Sequence, residues 1–149
     1  MLGIAHEIRT VVDNVVVQLA RMTPEEVSAK PSPDAWSKKQ ILGHLIDSAA
    51  NNHQRFVRAA ANVAHLFPPY NQNEWVRIQR YEESEWSELI ALWSAYNRHL
   101  SDVIARMPES ALSNPCDIGK EQPVPVDFVI RDYLRHLRHH VHQLFSRVV

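Results

Sequence analysis

Apolar residues recur at three- and four-residue intervals through four long stretches, and this spacing predicts four amphipathic helices. The first runs from about Ile4 to Met22, with Ile8, Val11, Val12, Val15, Val16 and Leu19 on one face. The second starts at the capping box Ser37-Lys38-Lys39-Gln40 and runs to about Ala64. The third, capped by Ser84, reaches Met107 on a stripe of Trp86, Leu89, Ile90, Trp93, Tyr96, Leu100, Val103, Ile104 and Met107. The fourth starts near Pro125 and continues to about Val148 through Val126, Ile130, Tyr133, Leu137, Val141 and Leu144.

Prolines punctuate the stretches at 24, 31 and 33, at 68 and 69, and at 108, 115, 123 and 125. Thr23-Pro24 reads as an N-cap with proline in the first helical position. Trp36 stands where it can staple the start of the second helix. The segment 65–83 is a long connection with one helical turn at 73–80, and 108–124 is an irregular link holding Cys116 and Gly119. Only three glycines occur, too few for an all-β chain of many tight turns. The expectation is an all-α fold, an antiparallel four-helix bundle in one domain spanning 1–149. The two short links, 22–36 and 108–124, and the longer one, 65–83, fit antiparallel neighbours and leave the helix order in space open.

Composition narrows the function classes. The 149 residues are 45% apolar and 22% charged, with a formal net charge of −1. There is no basic run to attract phosphates, so nucleic acid is not an expected partner. No apolar run approaches the roughly 18 residues of a membrane span. The first residues lack the basic-then-apolar pattern of a signal peptide, so a cytoplasmic protein is expected. A single cysteine, Cys116, rules out an internal disulfide and the Cys-rich zinc motifs. It has no partner motif, and no catalytic nucleophile is assigned.

The chemistry concentrates in His136-Leu-Arg-His139-His140-Val-His142, four histidines within seven residues of one helix. At about 100° per residue, His136 and His140 lie one turn apart at the edge of the apolar stripe, while His139 and His142 turn to the polar side. Two imidazoles one turn apart can chelate one divalent ion. A third ligand must come from another helix. Helix two offers His44, on a polar stripe with Asp47, Ser48, Asn51, Arg55 and Arg58, and His53, near the middle of the apolar face. The wheel alone puts His44 in water and His53 in the core as a hydrogen-bonded histidine. The same stripe also reads as the wall of a wet pocket between helices two and four. His6, His65 and His99 carry no signal.

The pattern Trp36-Ser37…Ile41-Leu42-Gly43-His44-Leu45-Ile46-Asp47, followed by Tyr133-Leu134-Arg135-His136-x-x-His139-His140-x-x-Gln143, resembles the DinB/YfiT-like superfamily of bacterial proteins. The resemblance covers nearly the whole chain. It implies a four-helix bundle, often a homodimer, with a divalent ion held by His44, His136 and His140. It further implies zinc or nickel, with manganese or iron as less favoured ions. Some members of that superfamily are thiol-dependent transferases or isomerases. The resemblance therefore implies a small-molecule substrate and a low-molecular-weight thiol such as bacillithiol or mycothiol. A hydrolase using bound hydroxide, with Asp47 as base, and a non-catalytic ligand-binding bundle are the alternatives.

Other residues take supporting roles in these expectations. Asp47 and Asp132, each one turn from a ligand, can accept a proton from a ligand's second nitrogen, or be ordinary exposed aspartates. Gln143 lies one turn beyond His139 and His140 and joins them as a candidate. Asn51 and Arg55 are candidates to orient a substrate, including its carboxylate. For Arg55 the competing role is a surface ion pair. Ser48, Tyr70 and Trp75 are candidate pocket-lining residues. His6-Glu7-Ile8-Arg9-Thr10 falls short of a zinc-protease motif because residue 10 is threonine, and no Glu-x-x-His exists to build a di-iron bundle site.

Overall fold

The computed structural model describes residues 1–61 and 66–146. Among them are six helices: α1 (Leu2–Leu19), α2 (Pro24–Ser28), α3 (Lys38–Ala60), α4 (Gln72–Gln79), α5 (Trp86–Ala105) and α6 (Val126–Phe145). The expected helix ends at Ala64 and Val148, and His65, lie outside the described residues. Two short strands, β1 (Pro115–Cys116) and β2 (Val124–Pro125), form an antiparallel hairpin inside the link before α6. The hairpin was not legible as alternation because each strand is only two residues long.

The ends of the helices follow their local chemistry. Ser37 and Gln40 form the expected capping box at the start of α3. Thr23 caps α2 with Pro24 in the first turn, and Glu26 reaches back to complete a second capping box. The short helix expected at 73–80 is α4, capped by the Asn71 side chain on the Glu74 amide. Ser84 does not cap α5, which starts at Trp86 with Glu85 in the capping position and no side-chain cap. The Ser84 carbonyl instead accepts from Lys39 at 2.7 Å.

Four long helices make the bundle. α1 packs on α5, α5 on α3, α3 on α6, and α6 back on α1. The pairs Arg9–Asp102 and Arg98–Asp13 show that α1 and α5 are antiparallel. His44 meets His140 while Phe56 meets Tyr133, so α3 and α6 are antiparallel too. By contrast, Lys39 contacts Ser84 and His53 contacts Tyr96, so α3 and α5 run parallel. None of the three links joins antiparallel neighbours as expected: each of the two shorter ones joins helices that are diagonal in the bundle, and the longest joins parallel neighbours. The physical reason is length. A chain leaving α3 must travel back about 34 Å, at about 1.5 Å per helical residue, before α5 can start alongside it. The segment carrying α4 makes that return.

The core takes Ile8, Val12 and Leu19 from α1, Leu42, Leu45 and Phe56 from α3, Trp93, Leu100 and Ile104 from α5, and Ile130, Leu137 and Leu144 from α6. Each such side chain contributes about 1.5–3 kcal/mol when fully buried. Two polar bridges cross it. Tyr133 donates to Asn97 at 2.6 Å, and Ser101 donates to the Ala5 carbonyl at 2.9 Å.

The return segment is pressed onto α3 at one place that only glycine permits. A Cβ on Gly43 would lie 2.1 Å from the Tyr81 ring. That approach lets the Tyr81 hydroxyl donate to Asp47 Oδ1 at 2.6 Å, beside the Gln79 amide at 2.5 Å. Gly43→Ala is therefore expected to destabilise the protein by about 1–3 kcal/mol, although glycine-to-alanine within a helix normally stabilises by about 1 kcal/mol. Urea denaturation reads the sign directly, and a midpoint that rises would contradict this packing.

Candidate metal centre

The residues of α3 that the wheel placed on a polar stripe face the bundle. His44 is 0% exposed, and Asp47 and Ser48 are also buried. The solvated-face alternative for this stripe is thereby overturned as far as Ser48, although Arg58 is exposed. The wheel failed for His44 because α6 closes over that side of α3. His53 is half-buried, with its ring on the Tyr96 hydroxyl at 3.1 Å. His99 stands edge-on to it at 5.1 Å between centroids.

His44, His136 and His140 come together. Their centroids are 5.1 Å apart for His44 and His136, 4.7 Å for His44 and His140, and 4.4 Å for His136 and His140. One ring nitrogen from each lies within 4.8 Å of the others. The His44 and His136 Nε2 atoms are 3.2 Å apart. Nitrogens bound tetrahedrally at 2.0–2.1 Å sit about 3.3 Å from one another, so this donor set fits a divalent ion with little rearrangement.

The protonation of the rings suits the same purpose. Burial, then the imidazoles of His140 and His136, pull His44 down to about 3. Burial first and His140 second bring His136 down to about 4. Burial also lowers His140, against the raising effect of its bond to Gln143. At neutral pH all three rings are uncharged and offer lone pairs. Gln143 Oε1 accepts from His140 Nδ1 at 2.7 Å, which leaves Nε2 free as a ligand atom. Ser48 Oγ is 3.4 Å from His136 Nδ1. His44 Nδ1 is buried with no partner among the described residues, and the Trp36 ring leans on the His44 ring at 5.1 Å.

The other expected site residues separate into those at the centre and those elsewhere. Asp47 gives one oxygen to Tyr81 and Gln79, and its other oxygen, Oδ2, is buried without a partner among the described residues. Burial raises the Asp47 pKa despite those two bonds. Asp132 pairs with Arg135 at 2.6 Å while its charge acts on His136 in the raising direction, and Ser48 Oγ lies at hydrogen-bond distance from His136 Nδ1. Asn51 bonds the Asp47 carbonyl of its own helix, and it is Asn52 that lines a pocket. Cys116 is buried, and burial pushes its thiol up. Trp36, Gln79 and Tyr81 had no sequence signal as site residues. Asn52 has the same side chain as its neighbour Asn51, and only the facing of α3 against α6 chooses between them.

Two spaces flank the histidines. A pocket of about 200 Å³ is lined by Ser48, Asn52, Arg55, Tyr70, Asp132 and His136, among others. A larger cleft of about 580 Å³ lies behind Trp36 and Gln143, with Lys38, Ile41 and Asn73 on its walls. Only the smaller one reaches a histidine of the cluster. Tyr70 roofs it and rests on Trp75 at 4.9 Å, while Trp75 itself borders a separate shallow hollow with Ile78 and Gln79.

Two outcomes are expected. His140→Ala is expected to abolish stoichiometric zinc binding, and His142→Ala, whose ring is exposed on the far side, to leave it intact. Elemental analysis of untagged protein checks both. The second concerns acid. Folding holds His44 and His136 below the ordinary histidine value of 6.5, so the unfolded chain binds more protons in acid. Their contribution is fully present above about pH 6.5 and is lost as the pH falls toward 4 and then 3. Metal-free protein should lose at least about 2 kcal/mol between pH 7 and 4, and a flat pH profile in chemical denaturation would contradict buried neutral rings.

The DinB superfamily pattern matches residues 7–144. YfiT of Bacillus subtilis (strain 168), whose name proposes a metal-dependent hydrolase, is 25% identical over 88 residues, or 54% of this chain and 49% of that protein. The chain thus spans about half the length of this curated relative. The solved YfiT structure, described as having an unusual four-helix bundle topology, superposes over 94% of this chain and 83% of its own, with a TM-score of 0.75 and 17% identity. The mycothiol-dependent maleylpyruvate isomerase superposes over 98% of this chain and 61% of its own, with a TM-score of 0.78 and 15% identity. At those identities the two structures establish a shared fold. The match along nearly the full sequence establishes the family: the chain belongs to the DinB superfamily.

Proposed function

We propose that this protein is a metal-dependent S-transferase that activates a low-molecular-weight thiol at a site formed by His44, His136 and His140. The observation that carries the reading is the convergence of three uncharged imidazoles, His44 buried and His136 and His140 half-buried, beside a small polar pocket. A divalent ion held by His44, His136 and His140 would keep its charge, because the three ligands are neutral, and would supply Lewis acidity that favours deprotonation of a thiol or water at neutral pH. Zinc and nickel both suit imidazole ligands and are the ions proposed.

The chain's own residues do the rest. Gln143 holds the His140 ring in one tautomer, Ser48 steadies His136, and Trp36 shields His44 from water. Tyr70 covers the small pocket, and burial lifts its hydroxyl to about 12, so it stays a neutral donor. A hydrolase, the activity named for the Bacillus relative, needs a base beside its water. Asp47, the candidate, gives one oxygen to Tyr81 and Gln79 and hydrogen-bonds none of the histidines. The mycothiol dependence of the isomerase adds support from a shared fold. A cytoplasmic homodimer is the proposed working form, and sedimentation reads its mass.

Zinc-loaded protein, incubated with a small electrophile and in turn with bacillithiol, mycothiol, glutathione and cysteine, is expected to accelerate conjugation of at least one thiol. His44→Ala should remove that acceleration. Hydrolysis of ester or amide substrates without any conjugation would replace this reading by the hydrolase.

A further inference from the structure

We propose that Arg55 anchors a singly charged carboxylate of the substrate in the small pocket that opens on His136. The proposal deepens the site reading above and rests on it for one point only, that the histidine end of this pocket is the reacting end.

Arg55 is half-buried on α3 and lines the pocket with Ser48, Asn52, Tyr70, Asp132 and His136. Seven other arginines form ion pairs: 9, 77, 80, 98, 131, 135 and 138. Among the described residues, no carboxylate lies within ion-pair reach of Arg55. Its one hydrogen bond among the described residues is a long one, 3.5 Å from Nη1 to Asn52 Oδ1. A guanidinium carries five donors in a fixed planar fork. Holding that fork half out of water with its donors unspent is unfavourable unless an acceptor arrives.

The surroundings select the kind of acceptor. The carboxylate that shares the pocket, Asp132, is already held by Arg135. The Tyr133 hydroxyl is committed to Asn97. Ser48 and Asn52 are neutral. One uncompensated positive charge thus faces the cavity, which suits a monoanion better than a phosphate dianion. The planar fork matches a carboxylate through two parallel hydrogen bonds.

Dimensions select the size. Ser48, which touches His136, and Arg55 are seven residues apart on one helix, a rise of about 10 Å. Arginine side chains on a helix lean back toward its N-terminus, so the fork closes part of that gap. The pocket volume of about 200 Å³ corresponds to six or seven waters at about 30 Å³ each. A short aliphatic or unsaturated acid fits between the fork and the histidine end, with its reacting atom a few bonds from the carboxylate.

The test is a binding measurement on the full chain, with and without zinc, using straight-chain monocarboxylates of two to six carbons. Butyramide serves as the neutral isostere of butyrate and inorganic phosphate as the dianion. Two-dimensional amide NMR reports both affinity and location. Metal-free wild type is expected to bind butyrate with shifts centred on Ser48, Asn52 and Arg55. Butyramide and phosphate should bind at least about tenfold more weakly, as should butyrate to Arg55→Gln. Arg55→Lys should retain part of the affinity, and Arg58→Gln, an exposed neighbour on the same helix, all of it. Failure of every acid to bind wild type overturns the proposal. So does equal binding by Arg55→Gln, equal binding of butyramide, or tighter binding of phosphate. Zinc stoichiometry in Arg55→Gln is read separately. Zinc bound at one per chain with no carboxylate site leaves the metal centre standing and removes the anchor. Carboxylate binding through Arg55 without zinc binding leaves the anchor and removes the metal centre.

Discussion

The packing of α6 across the polar side of α3 governs the rest of this molecule. His44 lies on a stripe rich in Asp, Ser, Asn and Arg, and such a stripe is stable in water. When α6 covers it, every polar group there needs a partner or a lowered charge. The molecule does both. The histidines lose their protons, Asp47 is served by Tyr81 and Gln79, and Asn52 bonds back to its own helix. What remains unserved at the centre, among the described residues, is one edge of His44 and one oxygen of Asp47, three residues apart on the same helix.

That covering depends on the topology. If α3 and α5 were antiparallel neighbours joined by a tight loop, no chain would lie over the Asp47 side of α3. Because they run parallel, the connection must return along the bundle, and α4 with the turn at Tyr81–Glu83 lies on that path. Gly43 admits the Tyr81 ring, Tyr81 holds Asp47, and Tyr70 on the same connection roofs the pocket beside His136. The hairpin in the link before α6 meets this connection where the Phe67 amide donates to the Asp117 carbonyl at 2.8 Å. The two irregular segments thus support each other beside the site.

The site itself combines rigidity with room. Two of its ligands come from one helix at a spacing of one turn, so their relation is set by the helix alone. The third comes from a partner helix and is held by packing against Trp36. On one flank a small pocket carries an arginine with unused donors, and on the other a larger, more apolar cleft lies behind Trp36 and Gln143. A substrate with a charged end and a reacting end has a natural orientation in such an arrangement.

Much of this was legible in the order of residues. Four apolar stripes determine four helices because a 3.6-residue period exposes one face, and the capping box at Ser37 fixes where α3 starts. The pairing of His136 with His140 follows from the same period, since one turn of helix places both rings on one side. What the order of residues left undecided was every relation between helices. Whether His44 or His53 turned inward, whether Asn51 or Asn52 reached a pocket, and which group served Asp47 all depended on which helix covered which face. Local periodicity is a property of one helix and its solvent. Facing, diagonal connection and the return path of the chain are set by how four apolar stripes share one core, and only the tertiary structure decided them.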